Sequence, residues 1–258
     1  MPSWNVHIAH AEQLLSKHSP SELGISDVDA FMLGCLLPDI YVGYMVQPLT
    51  KKIPYRETHL ADASRVPLPD YEAFAHSYHL LAPSDEKDAS VSATSSTDPA
   101  ATAVTPATAA TSAPSAAEHL AHDLILGTWC HLMADHIYNA HTRIYLKEHH
   151  IPRGEAARIG KQGDLALFGR TFYLHTHIAI TPSLLRQTHA FPAYEINDED
   201  LYTTSKIVDN IVEETTRAHI DAVPHYTMLE QAFFDEAFAE LAALMERNLL
   251  LSFQAHKS

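Results

Sequence analysis

The chain has 258 residues, 46% of them apolar, and a formal net charge of −15 from 17 Lys and Arg against 32 Asp and Glu. That length and apolar share suffice for a real core, and so acidic a chain is a poor match for nucleic-acid phosphates, which attract cationic surfaces. Eight glycines against fifteen prolines lean away from a turn-rich β architecture, and nineteen histidines suggest metal binding, with scattered surface histidines as the plain alternative.

The chain starts "MPSWNVHIAHAEQLLSK", with no basic stretch leading into an apolar one, so a cytoplasmic location is expected. No apolar run reaches membrane-spanning length. Residues 3–18 put His7, Ala11, Leu14 and His18 on one helical stripe, with Ser3 or Asn5 as N-cap. Residues 27–37 form a short apolar helix stopped by Pro38. Residues 83–117 are almost wholly Ala, Ser, Thr, Pro and Asp, with no large side chain to pack, and are expected to be a disordered insertion. Pro99, Pro106 and Pro114 argue against a long helix there.

Residues 118–141 are apolar nearly all round, as in a central helix covered on several sides. Further helices are expected over 155–180 and 203–221. A long amphipathic one is expected over 226–251, with Leu229, Phe233, Phe238, Leu241 and Leu244 facing inward. Cys35 and Cys130 both sit in apolar runs and read as small buried hydrophobes, not as a disulfide. The expected fold is all-α: one multi-helix domain over 1–258, interrupted by the insertion.

The chemistry concentrates in "LILGTWCHLMADHIYNAH", residues 124–141. His131 and Asp135 are four apart, which on a helix leaves them about 40° apart on one face. Imidazole and carboxylate on one rigid face can share a metal, and zinc suits both. The plain alternative is a helix-surface ion pair. Three H-x-x-x-[DE] pairs occur, namely His18/Glu22, His119/Asp123 and His131/Asp135, and only the last lies inside a strongly apolar run. His7 on an apolar face, Asp39 after "FMLGCLLP" and His59 in "YRETHLAD" add polar groups in apolar settings. Each alone reads as a core histidine, a turn residue or a loop residue.

Together "WNVHIAHA", "FMLGCLLPDI", "ETHLAD" and "LGTWCHLMADHIYNAH", in that order over residues 4–141, resemble the zinc-dependent phospholipase C family, whose wider relatives include S1/P1-type nucleases. The resemblance implies an all-helical fold with zinc ions clustered in a cleft. Asp39, His59, His131 and Asp135 would hold one zinc, and Asp135 would bridge to a second, held with His7. His141 would belong to a third site. Asp39 would also accept a proton from the attacking water. Two departures stand out. In the secreted phospholipases the mature N-terminal tryptophan ligates zinc through its amine, whereas Trp4 here follows Met-Pro-Ser. The third site also takes a His and a Glu four apart, and no H-x-x-x-E follows His141, which leaves His149, Asp164, His175 and His177 as candidates.

The function so implied is hydrolysis of a phosphodiester by metal-activated water, with a small phosphodiester or a phospholipid head group as substrate and no stable nucleic-acid complex. One rival is an HD-type phosphohydrolase built on the adjacent His122 and Asp123. His122 and His131, nine residues apart, lie about 180° apart on one helix and exclude each other from one site. The other rival is a helical metal-binding protein without turnover.

Overall fold

The computed structural model describes residues 2–81 and 115–255, which form eleven α-helices and a 3₁₀ turn and contain no β-strand. Of the Ala/Ser/Thr/Pro-rich stretch, residues 83–114 lie outside the described part. Its last three residues start a helix: Ser115 and Glu118 exchange side-chain and backbone bonds in a capping box that opens α6, Ala116–Leu120.

The first helix, α1 (Trp4–Lys17), buries Trp4, His7, Ile8, Ala11 and Leu14. After the 3₁₀ turn Pro20–Leu23 the chain reverses at Gly24, whose φ of 75° favours a residue without Cβ. Asp27 then accepts the amide of Ala30 and starts α2, Val28–Gly34. Pro38 does not stop this helix. The helix has already ended at Gly34, and Pro38 sits in the first turn of α3 (Leu37–Ile40), where a missing N–H costs nothing. The short helices α4 (Tyr55–Thr58) and α5 (Tyr71–Ser77, capped by Asp70) follow.

The central element is α7, His122–Glu148, whose 27 residues make it about 40 Å long. A break at Ala121 separates it from α6, so the helix expected over 118–141 is two, and the second extends to Glu148. It packs against α1, α2, α3, α5 and α11, which explains its lack of a polar face over most of its length. Its crossing with α2 is glycine on glycine. A Cβ on Gly34 would lie 2.4 Å from the Leu124 carbonyl oxygen, and one on Gly127 would lie 2.1 Å from that of Phe31. Only bare backbone fits between these helices.

The remaining helices are α8 (Glu155–Gly169), α9 (Pro182–His189), α10 (Asp198–Arg217) and α11 (Gln231–Ala255). The helix expected over 155–180 stops at Gly169. Thr171 bonds back to the Phe168 carbonyl, and the Glu12 carboxylate of α1 accepts the amides of His175 and Thr176 at 2.7 Å each, satisfying an irregular backbone. Asn197 caps α10, so that helix begins five residues earlier than expected and closes at Arg217. The helix expected from 226 begins only at Gln231, because the buried Asp164 carboxylate takes the amides of Thr227, Met228 and Leu229. Of its expected inward residues, Phe238 is half-buried and Leu229 lies in the preceding turn. Cys35 and Cys130 are free and buried. Among the described residues no helix is long and apolar enough to cross a membrane.

Candidate metal centre

Five of the six sequence-derived ligands meet in the interior, brought from four segments: His7 on α1, Asp39 on α3, His59 just after α4, and His131 with Asp135 on α7. All five are buried. The α2–α7 contact brings Cys35 and α3 against α7. The first result is a bond from His131 Nδ1 to the Cys35 carbonyl at 2.8 Å. Trp4 Nε1 donates to Asp39 Oδ2 at 3.2 Å and fixes that carboxylate.

Two groups of potential ligands form, His7/His131/Asp135 and Asp39/His59/His131, the donor atoms of each lying within 4.8 Å of one another. His7 Nε2 is 3.4 Å from Asp135 Oδ1, and His59 Nε2 is 3.4 Å from Asp135 Oδ2 and 3.6 Å from Asp39 Oδ1. The His7 and His131 rings stack at 4.1 Å, nearly parallel.

The hydrogen bonds at the back of the rings decide what faces inward. A carbonyl oxygen only accepts, so His131 Nδ1, on Cys35, carries the proton. His59 Nδ1 lies 3.1 Å from the Tyr55 carbonyl and 2.7 Å from the Thr58 hydroxyl, which can donate or accept. His131 thus turns an unprotonated Nε2 inward, 3.0 Å from His59 Nε2. Around them His7 Nε2, Asp39 Oδ1 and Asp135 Oδ1 are buried with no hydrogen-bond partner among the described residues. Imidazole nitrogens and carboxylate oxygens gathered this closely in the interior suit a cation, and two buried His/Asp groups here could hold a metal ion.

No family model, no curated protein and no solved structure matches the chain.

Protonation states agree with the hydrogen bonds. Burial pulls the His131 imidazole down to about 3, and the neighbouring His7 adds to this against the smaller upward pull of Asp39 and Asp135. The ring is neutral at pH 7 and its lone pair free. Burial pushes the Asp135 carboxyl up, but His7, His131 and His59 outweigh it and hold it well below the usual range. Burial, with the Asp135 charge beside it, raises Tyr55 well above an ordinary phenol, so its hydroxyl keeps its proton and donates it to Asp135 Oδ2 at 2.6 Å.

Tyr55 is one residue that the sequence reading passed over. Its ring also stacks on His59 at 3.8 Å. The signal was "YRETH", which puts Tyr55 and His59 four apart. Trp4 was noted for its position but not as the donor to Asp39. Asn139 and Lys161 were also passed over: Lys161 Nζ donates to Asn139 Oδ1 at 3.0 Å, one helical turn beyond Asp135. Burial pulls the Lys161 ammonium below its ordinary value.

His141 does not join the cluster. Six residues beyond Asp135, it has turned about 240° around α7, and its Nε2 pairs with Glu240 of α11 at 2.7 Å. The other candidates for a third site belong to neither ligand group. His149 stacks on Tyr145, Asp164 holds the amides before α11, Glu12 takes the His175 amide, and His177 pairs with Asp209. The His122/Asp123 pair is likewise not part of either ligand group. Asp123 instead accepts the amides of Ser26 and Asp27, at 3.2 and 2.7 Å, and pins the start of α2.

Proposed function

We propose that the protein is a zinc-dependent phosphodiester hydrolase, of the helical fold and chemistry that the zinc-dependent phospholipase C resemblance implies. The observation that carries this reading is the convergence of three imidazoles and two carboxylates in the interior, with His7 Nε2, Asp39 Oδ1 and Asp135 Oδ1 buried and without a hydrogen-bond partner among the described residues. The donor set is nitrogen and carboxylate oxygen without thiolate, which suits zinc. Asp39, His59, His131 and Asp135 would hold one ion, and His7 with Asp135 would hold a second, because His131, with Nδ1 committed to Cys35, has a single nitrogen to offer. Zinc bound there would supply Lewis acidity that brings the pKa of water toward neutrality and stabilises phosphoryl oxygens.

The protein's own groups do the rest. The Cys35 carbonyl locks the His131 tautomer, and the Tyr55 carbonyl and Thr58 hydroxyl orient the His59 ring through Nδ1. Tyr55 engages one oxygen of Asp135 and leaves the other facing inward. Trp4 does the same for Asp39, whose free Oδ1 is placed to accept the proton of the attacking water. Asp39 also lines a cavity of about 300 Å³ together with Trp4, Tyr44, Met45 and Arg158, a route by which a small phosphodiester reaches the centre. The apolar lining of that cavity by Tyr44, Met45 and Leu165, in a chain of net charge −15, favours an organic phosphodiester, such as a phospholipid head group, over bare polynucleotide.

The test is turnover of a chromogenic phosphodiester by chelator-treated protein with zinc restored, beside Asp39→Asn and His131→Ala. Activity should return with zinc in the parent and be lost in both variants. Undiminished activity in His131→Ala would remove this centre from the reaction.

A further inference from the structure

A second cavity, of about 390 Å³, opens beside the metal centre. Arg65, Arg153, Arg158 and Lys161 all line it, and Glu155 is its one acidic lining residue. Glu155 is spent on Arg158, which it grips through both carboxylate oxygens. Three cations therefore remain uncompensated by lining residues in a chain whose net charge is −15. Such a concentration is not what a solubilising acidic surface produces.

The cavity is built, not merely decorated. Lys161 is 9% exposed, and its ammonium has one acceptor among the described residues, Asn139 Oδ1. Burying an ammonium is costly, and the charge that acts on it from the metal centre is the Asp135 carboxylate. The cavity wall also includes Gly154 and the first turn of α8, a 15-residue helix whose N-terminus no side chain caps. A Cβ at Gly154 would meet nothing within 4 Å, so the approach to those backbone N–H groups is open. An uncapped helix start beside guanidinium and ammonium groups is suited to a phosphate. Arg65 donates to the Arg153 carbonyl and ties the two sides together.

Two links join this cavity to the metal centre. Asn139, which holds Lys161, lies one turn after Asp135 on α7. Arg158 lines both this cavity and the one that contains Asp39.

We propose that this pocket binds a phosphate monoester carried by the substrate in addition to the phosphodiester that is cleaved. The assignment to substrate rests on the hydrolase reading above; the pocket's affinity for phosphate does not. The substrate class is then a phosphodiester whose alcohol or head group bears a further phosphate.

The first measurement is calorimetric titration of inorganic phosphate into the chelator-treated full chain, at ionic strength held constant with chloride. Saturable binding is expected, weakened at least about tenfold in the Arg65→Ala/Arg153→Ala double variant, where two charge-assisted contacts go. Both residues are exposed, so the fold should survive their loss. His131→Ala should bind phosphate as the parent does. Absence of saturable binding, or equal binding by the double variant, overturns the proposal. The second measurement compares two zinc-dependent substrates, bis(p-nitrophenyl) phosphate and a p-nitrophenyl phosphodiester whose alcohol carries a phosphate monoester. The double variant should raise KM for the second alone, with kcat unchanged. An equal effect on both overturns the substrate assignment and leaves free phosphate as the ligand. If neither ester is turned over, the hydrolase reading and the substrate assignment fall together, while the titration still decides whether the pocket takes phosphate.

Discussion

An Nδ1 proton committed to the Cys35 carbonyl and an unprotonated Nε2 turned toward His59 at 3.0 Å make His131 the most informative residue in the chain. Its folded-state pKa of about 3 lies below that of an unfolded histidine, about 6.5. Between those values the unfolded chain binds more protons, so stability rises with pH. This contribution is fully present above pH 6.5 and is lost progressively as pH falls from there toward 3. Metal-free protein should therefore lose stability between pH 7.5 and 5, by up to about 1.4 kcal/mol per pH unit for one proton. In His131→Gln the slope should be shallower, and denaturant titration across that range measures it. Equal slopes in the two proteins would contradict the assignment. Tyr55→Phe removes the bond to Asp135 and leaves the ring on His59. It should cost on the order of 1–3 kcal/mol of stability in the metal-free chain, by freeing a buried carboxylate oxygen, and zinc should restore part of it.

The same residues show how much of the site was legible. His131 and Asp135 stood out because a helix puts them on one face within a run too apolar to be surface. His7, Asp39 and His59 could be added only by their order along the chain. Tyr55, Asn139 and Lys161 gave no such signal. They act through neighbours, and a buried lysine on a helix reads from sequence as a solvated one. His141 lay close in sequence to the others, but helical rotation carries it round to α11.

At the scale of elements, the ligands stand where they do because α2 and α7 cross on bare backbone. The Gly34–Gly127 approach places Cys35 behind His131 and delivers α3, with Asp39, to the same spot. Gly127→Ala would put a methyl carbon into the Phe31 carbonyl. Overpacking of this kind typically costs about 1–3 kcal/mol. The variant should melt at lower temperature and bind zinc more weakly, because the crossing and the His131–Cys35 bond move together. A variant that lost stability while keeping full zinc affinity would uncouple the two. Helix type was readable from apolar spacing for the long elements, but not for α4, α5 and α9, which are too short or too polar to show a period, and helix ends were not readable. The ends at Gly169, Asn197 and Gln231 depend on Glu12, Asn197 and Asp164 satisfying particular amides, and two of these three carboxylate or amide groups lie far away in sequence. The break at Ala121 likewise left no mark in an apolar run.

For the whole molecule, the distribution of charge matters more than its total. A net −15 is spread over the chain, while buried carboxylates and imidazoles gather at one centre and three arginines and a lysine gather at the adjoining cavity. Buried groups that could hold a metal ion thus stand near a cavity lined with cations, the pairing on which the proposed phosphorylated substrate rests. Everything in this account depends on the centre taking up divalent ions. The most direct test is to titrate zinc into chelator-treated protein by calorimetry, with elemental analysis of the dialysed product. The parent should retain at least one zinc ion per chain, and His131→Ala should lose the ion that its single available nitrogen serves. A correctly folded parent that binds no zinc, or a His131→Ala variant that binds as much as the parent, would contradict it.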